Sequence, residues 1–371
     1  MARQKVLAVL GTRPEAIKLA PVIGRIKDDP QCFEMLVCGT GQHRTLVDEN
    51  LDTFDLRIDF DLKIMRQGQS PTDVIAATLV PLDDVLGRVT PDRVLVQGDT
   101  STAMAAALAA FHRRIPVAHV EAGLRTRAIT APFPEEMNRR VISRIADVHF
   151  APTPLNADNL RREGVDPSTV FVTGNPIVDA LTQIIAQLSL PLPTCRRSVI
   201  ITCHRRENLG EPIEQALRAV RGLATRFPDT DFLVFAHPNP GVMRAIACMT
   251  PAPNVHICKP LPYREFIQVL RASTLVLTDS GGVQEEAPMF GKPVLILREE
   301  TERPEAVTVG VARLVGLAEE AIVKAVTDLL SDTDQYMAMA RCVQPFGDGR
   351  AAERIAGILA GRSVSEFLPE L

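Results

Sequence analysis

Three carboxylates in the first half of the chain have the surroundings that proton transfer needs. They are Asp99 in Gly98-Asp99-Thr100, Glu121 in His119-Val120-Glu121-Ala122-Gly123, and Glu135 in Pro132-Phe133-Pro134-Glu135-Glu136. Each is expected just beyond a strand, so all three are expected to converge on one cleft as acid/base groups. Each also has a plainer use: Asp99 as the cap of a helix over 101–113, Glu135 as a favourable charge at a helix N-terminus. Arg139 lies four residues after Glu135 on the same helix face, placed either to hold that carboxylate ionised or to bind a substrate anion. Upstream, Gly11-Thr12-Arg13-Pro14-Glu15 reads as a glycine turn opening a helix, with Arg13 and Lys18 near its N-terminus. That end suits a phosphate, which an arginine grips bidentately; the alternative is a tight turn with a solvated arginine.

The second half carries a matching set of anion-binding groups. A strand over 274–278 runs into Asp279-Ser280-Gly281-Gly282-Val283-Gln284-Glu285-Glu286. Backbone N–H groups at Ser280, Gly281 and Gly282 suit a diphosphate, and Glu285 and Glu286, one turn further on, place an acid that suits ribose hydroxyls. The alternative is Ser280 as an N-cap ahead of solvated glutamates. Strands 198–202 and 232–236 end at Cys203-His204-Arg205-Arg206 and at His237-Pro238-Asn239, and Thr301-Glu302-Arg303-Pro304 follows strand 293–297. Without an acid or cysteine at metal-ligand spacing, His204 and His237 read as donors to phosphate or hydroxyl groups, and no metal site is expected.

Positioning these groups requires an α/β framework. Short apolar runs alternate with helical segments from end to end, the rhythm of βαβ units and parallel sheets. Two doubly wound, Rossmann-like domains are expected, at 1–176 and 177–349, with a hinge around 174–196 and a C-terminal helix within 350–371 crossing back onto the first domain. Open parallel sheets bind ligands at the carboxyl ends of their strands, so the active site is expected in the cleft between the domains.

Composition excludes several other classes. The 371 residues carry 41 Lys+Arg against 45 Asp+Glu, without the basic excess that nucleic-acid binding needs. Seven cysteines, an odd number with no Cys-x-x-Cys, fit neither a disulfide framework nor a four-thiolate zinc site, and a reducing cytoplasm is expected. No run reaches the length of a membrane span, so no membrane partner is expected. Neither a Gly-x-Gly-x-x-Gly after a strand nor a Walker-type loop is present, so neither a dinucleotide cofactor nor any other is expected.

Read together and in order, the motifs Gly-Thr-Arg-Pro-Glu-Ala-Ile-Lys, Gly41-Gln42-His43-Arg44, His-Val-Glu-Ala-Gly-Leu-Arg-Thr, Pro-Glu-Glu-Met-Asn-Arg, His-Arg-Arg-Glu-Asn, Asp-Ser-Gly-Gly-Val-Gln-Glu-Glu-Ala and Thr-Glu-Arg-Pro-Glu closely resemble the non-hydrolysing UDP-N-acetylglucosamine 2-epimerases. The resemblance spans roughly residues 5 to 316. It implies the GT-B arrangement, a cytoplasmic homodimer, and reversible inversion at C2 of a UDP-sugar. By matching motif, Arg13, Lys18, His204, Ser280, Gly281, Gly282, Glu286 and Arg303 would bind UDP, with Phe266 near the uracil, while Asp99, Glu121 and Glu135 would serve the sugar. Gln42, His43, Gln69, Arg206 and His237 match motifs that in some members bind a second UDP-N-acetylglucosamine as activator. The chain departs from the family at Phe133, where Trp is usual, and at Arg127-Ala128-Ile129. The C2–H is not adjacent to a carbonyl, so without a redox cofactor the route is expulsion of UDP as a base removes the C2 proton, then readdition to the glycal. A related substrate such as a UDP-diacetamido uronic acid, a GT-B glycosyltransferase, a hydrolysing epimerase and a nucleotide-sugar sensor are the alternatives.

Overall fold

Val6 to Leu10 have no exposed surface, the signature of a strand covered on both faces, and helices on either side of a parallel sheet provide that cover. The computed structural model describes residues 3–41, 53–66, 68–188, 196–203, 205, 208–237 and 239–369. Two units emerge, Met1–Gln183 with Phe346–Pro369, and Ile184–Pro345 with Glu370–Leu371.

In the first unit the elements run β1 (Gln4–Leu10), α1 (Arg13–Lys27), β2 (Phe33–Gly39), β3 (Phe60–Asp61), α2 (Pro71–Val89), β4 (Arg93–Gln97), α3 (Ser101–His112), β5 (Val117–Val120), α4 (Glu135–Ile145), β6 (Val148–Ala151), α5 (Pro154–Arg162), β7 (Val170–Val172) and α6 (Pro176–Gln187). Among the described residues the strands form one sheet in the order β3-β2-β1-β4-β5-β6-β7, with every pairing parallel. The order reverses between β1 and β4. A crevice opens at such a switch point; Gly11 directly follows β1, and Asp99 follows β4 after Gly98.

The second unit repeats the plan with β8 (Arg197–Thr202), α7 (Glu211–Arg226), β9 (Thr230–Phe235), α8 (Pro240–Ala247), β10 (Val255–Cys258), α9 (Tyr263–Ala272), β11 (Leu275–Thr278), α10 (Gly281–Glu286), β12 (Val294–Ile296), α11 (Pro304–Thr308), β13 (Ala312–Leu314), α12 (Glu319–Ser331) and α13 (Thr333–Met339). Its order is β10-β9-β8-β11-β12-β13, and the reversal falls between β8 and β11. Arg205 and Asp279 follow those strands, so both anion-binding segments read from the sequence sit at a switch point. No helix among the described residues is long and apolar enough to cross a membrane.

Two local expectations are corrected, and the expected hinge at 174–196 holds a helix: β7 closes the sheet and Pro176 then opens α6, because proline's missing N–H costs nothing in a first turn. Glu135 does not end a strand but is the first residue of α4, well after β5. The C-terminal helix, α14, covers only Ala351–Leu359; beyond it the chain turns and continues without regular structure, and the Phe367 N–H donates to the Val172 carbonyl at 2.9 Å. Within this unit α14 packs Ala352, Ile355 and Ala356 into the core that α1 lines with Leu19, Ile23 and Ile26. Asp179 of α6 accepts from the Ala351 and Ala352 N–H groups at 3.2 and 2.9 Å, satisfying the first turn of α14. Burial pushes that carboxyl up to about 6 even so.

Candidate active site

The β1 turn is held by a carboxylate that the sequence reading left unassigned. Glu15 accepts from the Gly11 N–H at 3.0 Å, the Thr12 N–H at 2.7 Å and the Thr12 hydroxyl at 2.8 Å on one oxygen, and from the Thr100 hydroxyl at 2.7 Å on the other. It therefore ties the loop after β1 to the loop after β4, and its burial raises its pKa. Gly11 is required here because a Cβ would fall 2.4 Å from Thr40 Oγ1. Arg13, half-buried, begins α1 beside this turn.

Lys18, one turn further on, is buried and donates to Glu121 Oε1. The same oxygen accepts from Asn175 Nδ2 at 2.9 Å, and Oε2 accepts from Gln97 Nε2. Glu121 is thus fixed by donors from α1, from β4 and from the end of β7. Its backbone has φ of +63°, a left-handed conformation that costs a β-carbon-bearing residue about 1–3 kcal/mol and that the surrounding bonds must sustain.

Asp99 is gripped differently. Its Oδ2 accepts from Arg139 Nε and Nη2, both at 2.8 Å, in a fork on a single oxygen, while 29% of the side chain stays accessible. Arg139 is buried and also donates through Nη1 to Glu136 Oε2 at 2.8 Å. Glu136, with no exposure, further accepts from the Thr126 N–H and from Arg140. The reading of Arg139 as a partner for Glu135 overlooked both Asp99 and Glu136. The expectation that Asp99 caps the following helix also fails, since the cap of α3 is the Thr100 hydroxyl, 2.9 Å from the Ala103 N–H. Glu135 is half-buried at the start of α4.

In the second unit Asp279 organises the strand ends. Its Oδ2 accepts from the Arg205 N–H at 2.9 Å and from Asn208 Nδ2 at 2.8 Å, and its carbonyl accepts from Arg205 Nε at 3.0 Å, which joins the β8 and β11 loops. Ser280 occupies the N-cap position of α10, yet its hydroxyl makes no capping bond; its N–H donates to Thr278 Oγ1 at 2.9 Å. The glutamates after it are not solvated. Glu285 accepts from Arg303 Nε at 2.6 Å, and Glu286 from the Tyr263 hydroxyl at 3.0 Å, all four groups buried. Glu302 is the hub: it meets Arg298 at 2.7 Å, Arg205 at 3.3 Å, and Arg303. Phe266 of α9 lies edge to face against Phe235 with centroids 5.5 Å apart, and His237 Nδ1 accepts from the Asn239 N–H at 3.2 Å. Gln69 is engaged in its own loop, donating to the Ile64 carbonyl and accepting from the Arg66 N–H. His204, Gln42, His43 and Arg206 lie outside the described residues.

Gly281 seats Arg303: a Cβ there would fall 2.5 Å from Arg303 Nη1, and Glu285 and Glu302 pin that guanidinium. Gly281→Ala is therefore expected to dislodge Arg303 from Glu285 and Glu302 and to lower the melting temperature by about 2–4 °C or more, equivalent to about 1 kcal/mol. Thermal denaturation checks this. Gly282→Ala, whose Cβ meets only Glu286 Oε1 at an ordinary 3.6 Å, should lower the melting temperature less.

Sequence reading missed Gln97, Asn175, Glu136, Asn138, Asp279, Arg298 and Glu302 as parts of these clusters. Gln97, Asn175 and Asp279 end or follow strands, so the strand-end rule alone would have found them.

Two Rossmann-like sheets, each reversing its strand order at a switch point, define the GT-B class of fold. A kitacinnamycin glycotransferase shares the fold alone, at a TM-score of 0.62 and 15% identity. The model of the family described as UDP-N-acetylglucosamine 2-epimerase matches residues 25–360, and the chain belongs to that family, whose members are isomerases. It is 46% identical to a putative UDP-N-acetylglucosamine 2-epimerase of Thermotoga maritima, over 95% of both chains. The UDP-N-acetylglucosamine 2-epimerase of Escherichia coli K12 is 43% identical over 97% of this chain and 100% of its own. Among solved structures, the Neisseria meningitidis UDP-GlcNAc 2-epimerase bound to UDP-GlcNAc has a TM-score of 0.94 at 41% identity, over 97% of this chain and 100% of that one.

Proposed function

We propose that this chain interconverts UDP-N-acetylglucosamine and UDP-N-acetylmannosamine by elimination and readdition of UDP, with the acids of the first unit acting on the sugar and the second unit holding the nucleotide. The observation that carries this reading is the pairing of Asp99 and Glu121 at the ends of adjacent strands of one sheet, each fixed by its own donors. The Neisseria meningitidis relative solved with UDP-GlcNAc supports the choice of sugar. In the forward step a carboxylate takes the C2 proton, the C2–H electron pair forms the C1–C2 double bond, and the C1–O bond breaks with its electrons going to the UDP oxygen. In the return step a proton arrives at the other face of C2 and that oxygen re-forms its bond to C1. No net oxidation occurs. Asp99, held through one oxygen and still accessible, is the acid best suited to exchange a proton; Glu121, with both oxygens accepting, is suited to fix the sugar. Arg13, Arg303 and the Ser280–Gly282 backbone would stabilise charge on the departing diphosphate, with Glu286, steadied by Tyr263, at the ribose and Phe266 at the base.

The same reading includes cytoplasmic residence, a homodimer and a second UDP-N-acetylglucosamine as activator. For that activator Gln69 would have to give up its loop bonds to Ile64 and Arg66.

Incubation with UDP-N-acetylglucosamine in heavy water is expected to yield UDP-N-acetylmannosamine carrying deuterium at C2, read by NMR. Unlabelled product, dependence on added NAD, or stoichiometric release of UDP with free N-acetylmannosamine would each reject it.

A further inference from the structure

His119 is a buried titratable group that the proposed chemistry does not use. It lies on β5 with no exposed surface, two residues before Glu121, and pairs in register with His149 of β6. Its Nε2 is 2.7 Å from the Gly98 carbonyl. A carbonyl only accepts, so Nε2 carries the proton and Nδ1 carries the lone pair. Nδ1 meets no hydrogen-bond partner among the described residues. Burial pushes the imidazole down to about 3, so the ring stays neutral at working pH and cannot shuttle protons there. As core filling, a buried ring nitrogen without a partner is a poor choice, costing about 1–3 kcal/mol that an apolar side chain would not.

The bond it makes accounts for that cost. Gly98 has φ of +71° and forms the turn that delivers Asp99, and a Cβ on it would lie 3.4 Å from Glu121 Oε2. The Gly98 N–H is bonded to the Val120 carbonyl at 2.9 Å, leaving its own carbonyl to be satisfied from the side. The next carbonyl, that of Asp99, accepts from Asn138 Nδ2 at 2.8 Å, and Asn138 is also fully buried. Two side chains from different elements thus hold consecutive peptide units of the turn, while Arg139 holds the carboxylate.

We propose that His119 is a positioning residue: through the Gly98 carbonyl, and together with Asn138 on the Asp99 carbonyl, it sets the turn that aims Asp99 at the sugar and keeps Gln97 against Glu121. This rests on the proton-transfer reading of Asp99. A misplacement of about 1 Å at a reacting group costs on the order of 100-fold.

The test compares His119→Phe, which keeps bulk and loses the donor, with His119→Gln, whose amide nitrogen reaches about as far as Nε2. His119→Phe is expected to lower kcat about 30-fold or more with the Kd for UDP within about threefold, and His119→Gln to recover to within about fivefold of the parent. The pH profile of kcat between pH 5.5 and 8 should keep its shape in His119→Gln. Asn138→Leu, which removes the second donor at similar volume, should show the same kcat-specific loss and serves if His119→Phe does not fold. Normal kcat in His119→Phe or, where that variant does not fold, in Asn138→Leu overturns the inference, as does equal loss of kcat and UDP affinity without rescue by Gln, which marks a merely structural role. A pH limb lost in His119→Gln overturns it too, by making the ring an acid or base. Asp99→Asn, run alongside, separates the two readings. Its full activity rejects proton transfer by Asp99, whereas its inactivity beside a fully active His119→Phe rejects positioning alone.

Discussion

Asp99→Asn, Glu121→Gln and Glu135→Gln are each expected to lower turnover of UDP-N-acetylglucosamine by about 100-fold or more, while the Kd for UDP changes much less. At Asp99 and Glu135 an amide keeps the volume and an accepting carbonyl but cannot take up or deliver a proton, and at Glu121 it disturbs the bonds that fix the sugar. The three should not be equivalent. Asp99→Asn keeps one oxygen for the Arg139 fork, so its loss is chemical and should fall on kcat. Glu121→Gln also turns one acceptor into a donor beside Lys18, Gln97 and Asn175, all of which are donors already. That variant should therefore lose stability as well as rate. Steady-state kinetics with calorimetric UDP titration checks all three, and near-normal turnover in two of them would remove the carboxylates from the mechanism.

The second large effect is on folding. Lys18 and Glu121 form an ion pair whose side chains are only 4% and 7% exposed. Lys18→Met takes a cationic partner from a buried carboxylate, and breaking such a pair costs about 3–5 kcal/mol. The urea midpoint of the variant should fall accordingly. The double variant Lys18→Met with Glu121→Gln removes the carboxylate's charge as well and should recover more than half of the loss, although it remains inactive. A double variant as unstable as the Lys18→Met single one would show that packing of the lysine stem, and not the charge, carries the effect.

Much of this was legible in the chain before any coordinates. Alternating apolar runs and helical segments identify parallel sheets because a strand covered on both faces must be apolar along its whole length. Strand ends identify where a site can lie because parallel sheets leave their loops, and so their polar groups, at the carboxyl ends of the strands. β3 and β10 escaped this reading: β3 has only two residues, and β10 is a half-exposed edge strand reading Val-His-Ile-Cys, with no continuous apolar run. The helix inside the expected hinge escaped because Pro176 marks a helix start as readily as a strand end.

The types and rough addresses of the candidate site groups were therefore set by local sequence: Asp99, Glu121 and Glu135 in one half, Arg303 and the Ser280–Gly282 turn in the other. Which of them hold one another was decided only by tertiary structure. Lys18 and Glu121 are 103 residues apart, Gln97 and Glu121 24, and Asn175 and Glu121 54. No spacing rule relates such positions; the strand order β1-β4-β5-β6-β7 brings them to one edge of one sheet. For the same reason Arg139 looked like a partner for its helix neighbour Glu135, yet reaches Asp99 across the β4 loop. A helix period records which side chains share a face, but the partner that meets that face is set by how the sheet is wound.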